Sequence, residues 1–266
     1  MLVGSLMSKK ILIITEGPGD KQFIRRLFEV FLLPIPEIVT FKTNIYKLFE
    51  YYESYDVDFE DLDVKTVLLE CRTDLNSGER KILDYEGYSD IFLIFDFEFQ
   101  DPLFDAGLLS RFSQHFSDST TYGRLVINYP MLESYRHSNK DKLMACEFDR
   151  WFFNKKIEAR DLSSYKQIAS DEGFSWSSKL KSEHVVGVIN NHALKANFCV
   201  NQVTTLPQTF YVNLNQEFFK QLLGVQVEEV SKNKEIWVIN STYLVFGELY
   251  PQLMNLSNFN MLSVQN

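Results

Sequence analysis

Two groups of carboxylates each close a short apolar run, and acids in that position can hold a divalent cation. Glu16 follows Ile11-Leu12-Ile13-Ile14-Thr15 and precedes the turn-forming Gly17-Pro18-Gly19-Asp20. Asp96 and Glu98 follow Ile91-Phe92-Leu93-Ile94-Phe95. Continuous apolar runs this short, bounded by turn residues, read as strands buried on both faces, the pattern of a parallel sheet covered by helices. Ligands of such sheets gather at the carboxyl ends of the strands. With these two strands as neighbours, Glu16, Asp96 and Glu98 would share one edge, where uncompensated like charges repel and a cation relieves them. An all-oxygen donor set suits Mg²⁺, or Mn²⁺, held by one or two carboxylates together with water and a substrate phosphate. The plainer alternative is that Glu16 faces the positive end of the following helix, while Asp96 and Glu98 are solvated strand ends.

The elements that must position these acids can be read around them. Lys21 to Leu33 carries Phe23, Leu27, Val30 and Phe31 at helical spacing and stops before Pro34, with Asp20 as the expected N-cap. Glu37 to Phe41 reads as the second strand and Asn44 to Tyr55 as a helix. Val64 to Cys71 fits strand or helix equally, and Asn76-Ser77-Gly78 interrupts the chain after it. Asp101-Pro102 marks a turn, Asp105 to Phe116 a helix, and Leu125 to Asn128 a further strand. The alternation β-α-β-α, an ambiguous stretch, then β-α-β implies a parallel-rich sheet with right-handed crossovers. After it come helical patterns over Asp141 to Lys155, Ser178 to Asn197 and Asn215 to Gln226, and a late extended run through Glu235 to Asn240 and Tyr243 to Phe246.

A strand, Glu-Gly and a helix, then a strand ending in Asp96-x-Glu98, resembles the Toprim domain of topoisomerases, primases and several nucleases. The resemblance covers about residues 9 to 135, and the family's Asp-x-Asp is here Asp-x-Glu, one methylene longer in its second ligand. After Leu125 to Asn128, the segment Tyr129-Pro130-Met131-Leu132-Glu133-Ser134-Tyr135 is similar to the Toprim part of OLD-family nucleases and of phage-defence subunits of the PARIS type. The resemblance implies Asp96 and Glu98 as metal holders, Glu16 as ligand or general acid/base, and Glu133 as a further metal ligand. Pro130 also fits a helix start, where Glu133 in the first turn would be favoured by the dipole alone. The same resemblance implies a nuclease acting on DNA or RNA, tRNA included, as a toxin-like effector in abortive infection beside a partner ATPase.

Composition sets bounds on that picture. The chain has 266 residues, 45% of them hydrophobic, enough for a substantial core. No run is long and apolar enough for a membrane span, and Met1 to Lys10 lacks a signal-peptide core. Cys71, Cys146 and Cys199 are far apart, without a paired-cysteine motif, and fit reduced thiols of a cytoplasmic protein. His115, His137, His184 and His192 show no zinc spacing, and His184 and His192 read as packed structural residues. Residues 1 to 129 hold 13 basic and 22 acidic side chains, a net of −9, whereas the remainder holds 14 of each. An acidic surface does not attract a polyanion by itself. The best local basic strip is Arg136, Lys140, Lys142, Arg150, Lys155, Lys156 and Arg160, interleaved with Tyr135, Trp151, Phe152 and Phe153. Its acids, Asp141, Glu147, Asp149 and Glu158, favour instead a solvated amphipathic helix whose aromatics are core.

Gly17-Pro18-Gly19-Asp20-Lys21 lacks the spacing of a phosphate loop, and Asp96-x-Glu98 comes too late and without the following Thr for an aspartyl phosphatase. The sequence therefore predicts an α/β fold, with a Toprim-like, parallel-rich sheet over 1–135 and a mainly helical region over 136–266 carrying a late strand near 235–246. It predicts a metal-dependent phosphodiesterase. The rival is a non-catalytic Toprim-like scaffold or interaction protein, favoured by the Asp-to-Glu change and the acidic first half. The oligomeric state is left open.

Overall fold

A computed structural model of the chain describes residues 10–54, 61, 63–138, 156–175 and 181–254. The chain divides into two compact units, Met1–Phe95 with Gly107–Val126, and Asp96–Ala106 with Ile127–Asn266.

The first unit is built on the two apolar runs. β1 (Ile11–Thr15) and β3 (Asp90–Asp96) are buried along their whole length, as a strand covered on both faces must be. They pair in parallel, Thr15 beside Ile94, and β1 also pairs in parallel with β2 (Glu37–Thr40). β4 (Ser117–Asp118) and β5 (Gly123–Asn128) complete a sheet of order β2-β1-β3-β5-β4, with β4 antiparallel to β5. The strand that ends in Asp96 thus lies in the middle of the sheet, next to the strand that precedes Glu16. Gly123 has φ +100, and a Cβ there would stand 2.6 Å from Leu93, so the β4–β5 turn requires glycine.

Helices flank this sheet. α1 (Pro18–Val30) starts earlier than its apolar spacing suggested: Gly17 is the N-cap, Pro18 opens the helix, and Asp20 sits at N3, accepting from the Gly17 N–H at 3.0 Å. Asp20 therefore caps from inside the first turn rather than as the N-cap. The helix ends before Leu33 because Leu32 turns to φ +54. α2 (Ile45–Glu53) and α5 (Ala106–His115) fall where expected. The ambiguous stretch resolves as helix, α3 (Val64–Cys71), N-capped by Asp63. Asn76 does more than interrupt the chain, since its side chain accepts from Gly78 and Glu79 N–H and opens α4 (Ser77–Leu83) with a capping box. Phe49 and Phe112 meet edge to face within the core, at 3.8 Å between centroids.

The second unit is richer in helix among its described residues. It holds α6 (Tyr165–Glu172), α7 (Ser182–Asn201), α8 (Gln216–Asn233) and α9 (Ser241–Leu249). β6 (Lys156–Glu158) pairs antiparallel with β7 (Glu235–Trp237), Ile157 beside Ile236. The late run is a strand only as far as Trp237. Asn240 then caps α9, accepting from Tyr243 N, and Tyr243–Phe246 are helical. That segment looks extended in sequence because α9 is buried on every side from Ser241 to Gly247, which removes the polar face a helix normally shows. His184 and His192 are buried on α7; each Nδ1 accepts a backbone N–H, from Lys181 and Asn240 respectively. Both are packed structural groups, as expected. Cys199 is a buried free thiol, and among the described residues no helix is long and apolar enough to cross a membrane. The expected helix over Asp141 to Lys155, with Lys140, Lys142, Cys146, Arg150 and Lys155, lies outside the described residues.

Candidate functional site

Sheet geometry decides where the acids stand. Glu16, partly buried, is the first residue beyond β1, and its carbonyl accepts from Lys42 N at 2.8 Å. Asp96 is the last residue of β3 and is buried. Beyond it Phe97 N donates to Asn128 O at the end of β5, and Glu98 adopts φ +33. A side chain there is strained, by an amount on the order of 1 kcal/mol, and such strain collects at working sites. Asp101 forms the expected turn, accepting from Leu103 N at 2.8 Å.

After β5 the chain enters a 3-10 turn, Leu132–Arg136, that holds Glu133 in its first turn. The start of α9 fixes this turn: Asn240 Nδ2 donates to Leu132 O at 3.2 Å and to Ser134 Oγ at 3.1 Å. Asn128 Oδ1 accepts from Thr242 N and Oγ1 at 3.2 and 3.1 Å. The far end of the turn is tied to α6, because Phe174 N donates to Arg136 O at 2.9 Å. Gly173 lies so close that a Cβ would come within 2.1 Å of that same carbonyl.

Within the second unit, α6 begins at a buried phenol, Tyr165. Burial pushes its pKa well above the ordinary value; the Glu133, Glu172 and Asp96 charges push the same way, against Arg136. Lys166 Nζ lies 3.6 Å from Glu133 Oε1, with its own side chain 70% exposed, so this pair is weakly held. Glu133 Oε2 is buried with no hydrogen-bond partner. A buried carboxylate oxygen in that state wants a proton donor or a cation. The donor set is oxygen only, which fits a hard divalent cation held by one or two carboxylates and water. Among the described residues, no three His, Cys, Asp or Glu side chains stand together as a metal-holding group. Glu16 belongs to the first unit, whereas Asp96, Glu98 and Glu133 belong to the second.

The expected basic strip is represented by its ends. Arg136 has a buried Nε without a hydrogen-bond partner. Lys156 is engaged elsewhere: Glu229 and Glu235 bind its ammonium at 2.8 and 3.1 Å, and it lies 4.5 Å from the Trp237 ring. Burial works to lower its pKa, but those two carboxylates prevail and raise it. Arg160 pairs with Glu158 at 2.8 Å.

Sequence reading missed His137, Tyr165, Lys166 and Glu172. His137 Nδ1 lies 3.0 Å from the Tyr165 hydroxyl and its Nε2 lies 2.8 Å from Glu172 Oε2. These partners are 28 and 35 residues away along the chain, beyond any local motif. Comparisons of the chain with protein-family models, curated proteins and solved structures find no match.

Proposed function

We propose that this protein is a metal-dependent phosphodiesterase acting on nucleic acid, with a Toprim-like arrangement of acids at the ends of its sheet strands. The observation that carries the reading is that Asp96 ends β3 in the middle of the sheet and that Glu133 lies in the 3-10 turn that follows the adjacent strand β5. Glu133 Oε2 also stands buried without a hydrogen-bond partner. Asp96 and Glu133 would hold Mg²⁺ or Mn²⁺, with Glu98 as a further oxygen donor. Such an ion, when bound, polarises a phosphoryl oxygen and lowers the pKa of water. A part for Glu16, the first residue beyond β1, as ligand or general acid/base is the expectation that Glu16→Ala tests. Lys166, exposed and near Glu133, would meet the substrate phosphate once a cation displaces it from the carboxylate.

The acidic first half would leave substrate capture to another surface. Arg136 with Lys140, Lys142 and Lys155 is one source of positive charge, and a partner ATPase in a phage-defence assembly is another. The test is cleavage of DNA, bulk RNA and tRNA with Mg²⁺ or Mn²⁺ by wild type, Glu16→Ala and Asp96→Ala. Activity in wild type that falls at least ~100-fold in Asp96→Ala is expected for removal of a metal-holding carboxylate. Equal turnover by all of them would defeat the catalytic assignment and favour a Toprim-like scaffold.

A further inference from the structure

From Ala196 to Gln216 the chain carries no charged side chain, although 24% of all its residues are charged. That stretch joins the end of α7 to the start of α8 and, with Phe218, lines a cavity of about 210 Å³ in the second unit. Asn197, Phe210 and Leu214 are its buried lining, and Asn201 and Asn213 are exposed at its rim. Asn197 and Asn201 share one face of α7, and Asn201 Nδ2 donates to Asn197 Oδ1 at 2.8 Å. Asn197 Nδ2 in turn donates to Thr205 O at 2.7 Å, so a buried, hydrogen-bonded amide orients the exposed one. Asn213, in the 3-10 turn Tyr211–Asn213, donates from Nδ2 to Thr209 Oγ1 at 3.1 Å. Asn201 and Asn213 each keep an amide N–H and a carbonyl oxygen with no partner among the described residues. Half-buried Phe218 meets Phe210 edge to face, 5.6 Å between centroids, and gives the cavity an aromatic wall. Asn215, which accepts from Phe218 N at 3.1 Å, fixes that start of α8.

The chemistry of this lining restricts what can fill it. A charged ligand would be desolvated with no countercharge among the described lining residues. A purely apolar one would strip water from two amides and offer them no hydrogen bond in return. The volume is below the ~300–1,000 Å³ of pockets that enclose a drug-sized molecule, and so takes one ring system. A sugar ring is puckered and carries hydroxyls around its whole rim, more than Asn201 and Asn213 can meet. A flat, neutral heterocycle with a donor and an acceptor side by side satisfies the site: its face lies on a phenyl ring and its edge pairs with an amide, as adenine N6 and N7 pair with asparagine. We propose that this cavity binds a single unstacked nucleobase, held against the Phe210–Phe218 wall and hydrogen-bonded by Asn201 and Asn213. The choice of a base among such heterocycles rests on the nucleic-acid reading of the protein, while the cavity holds none of the acids on which that reading stands. The base can arrive on a single strand or as a free nucleoside, with its sugar left in solvent.

The experiment is a ligand-observed NMR titration of the full chain, in EDTA so that no strand is cut. The probes are adenosine, guanosine, cytidine and uridine, short single-stranded oligonucleotides, the same strands made abasic, and methyl glucoside. Wild type should bind at least one nucleoside or base-bearing strand. Phe218→Leu, Asn201→Ala and Asn213→Ala should each weaken that binding by about 5-fold or more. The two asparagine variants change exposed side chains, so their result stands even if Phe218→Leu loosens α8. Nucleosides that bind as well as the strands assign a free nucleoside, and tighter strand binding that is lost on removing the bases assigns a strand. No binding of any nucleoside or strand, equal binding of base-bearing and abasic strands, equal binding of methyl glucoside, or affinity unchanged in all three variants overturns the proposal. Cleavage with metal by wild type against Asp96→Ala is read separately, so a failed cavity leaves the phosphodiesterase reading standing and a failed cleavage assay leaves the cavity standing.

Discussion

Replacing Asn240 by alanine should loosen the whole acidic turn, because this one side chain joins the start of α9 to both neighbours of Glu133. Its Oδ1 caps α9 through Tyr243 N at 3.3 Å, and its Nδ2 serves Leu132 O and Ser134 Oγ. Loss of the cap costs about 0.5–2 kcal/mol. The Leu132 carbonyl and the Ser134 hydroxyl are then left in a site where Asn240 itself is fully buried, at about 1–3 kcal/mol for each group unable to find another partner. Ser134 can rotate its hydroxyl, so the expected total is about 1.5–5 kcal/mol. Asn240→Ser keeps a capping oxygen and should be about 1 kcal/mol less damaging than alanine. Urea unfolding followed by tryptophan fluorescence reads the effect, since Trp237, on β7, lies in the second unit. A loss below about 1 kcal/mol for alanine, or alanine and serine equal, would refute the reasoning that these hydrogen bonds hold the turn.

Gly247→Ala places a Cβ 2.2 Å from the Tyr211 ring, and should lower the stability of the second unit by about 1–3 kcal/mol in the same assay. Gly173→Ala drives a Cβ into the carbonyls of Arg136 and Ala169, at 2.1 and 2.3 Å, neither of which can swing aside; hydrogen exchange should rise selectively across Leu132–Arg136. Asp74 is held down to about 2 by hydrogen bonds from Lys42 and then Arg72. Its contribution to stability is therefore present above the unfolded value of 3.8 and lost as pH falls through about 2, and carboxyl-carbon NMR should show the midpoint rising in Lys42→Met. Burial pushes the Cys199 thiol up to about 12, so native protein at pH near 8 should resist iodoacetamide there and react only when unfolded, as read by peptide mass spectrometry.

How far the sequence carries depends on whether a signal is local. The buried runs of β1 and β3 and the amphipathic spacing of Phe23 and Leu27 in α1 are local, and they place the main strands and the acids at their ends. Val64–Cys71 is undecided in sequence because its short apolar run matches both periods, and packing selects the helix. α9 is hidden because enclosure on all sides leaves no polar stripe. Glu133 is singled out in the sequence only through its place after Leu125 to Asn128 and the resemblance around it. The His137–Tyr165–Glu172 chain is not legible at all, since only the return of α6 onto the 3-10 turn brings its members together. The left-handed Glu98 is likewise a product of the fold, as nothing in Asp-Phe-Glu-Phe demands it.

The central claim is that acids at the strand ends hold a divalent cation. Electron paramagnetic resonance of Mn²⁺ added to the protein tests it without any substrate, by counting free ion against bound. Wild type is predicted to bind Mn²⁺, with binding lost or weakened by about 10-fold or more in both Asp96→Ala and Glu133→Gln and retained in Asp74→Asn. Mn²⁺ that stays free with wild type, or binds equally well to wild type and both site variants, would contradict the account.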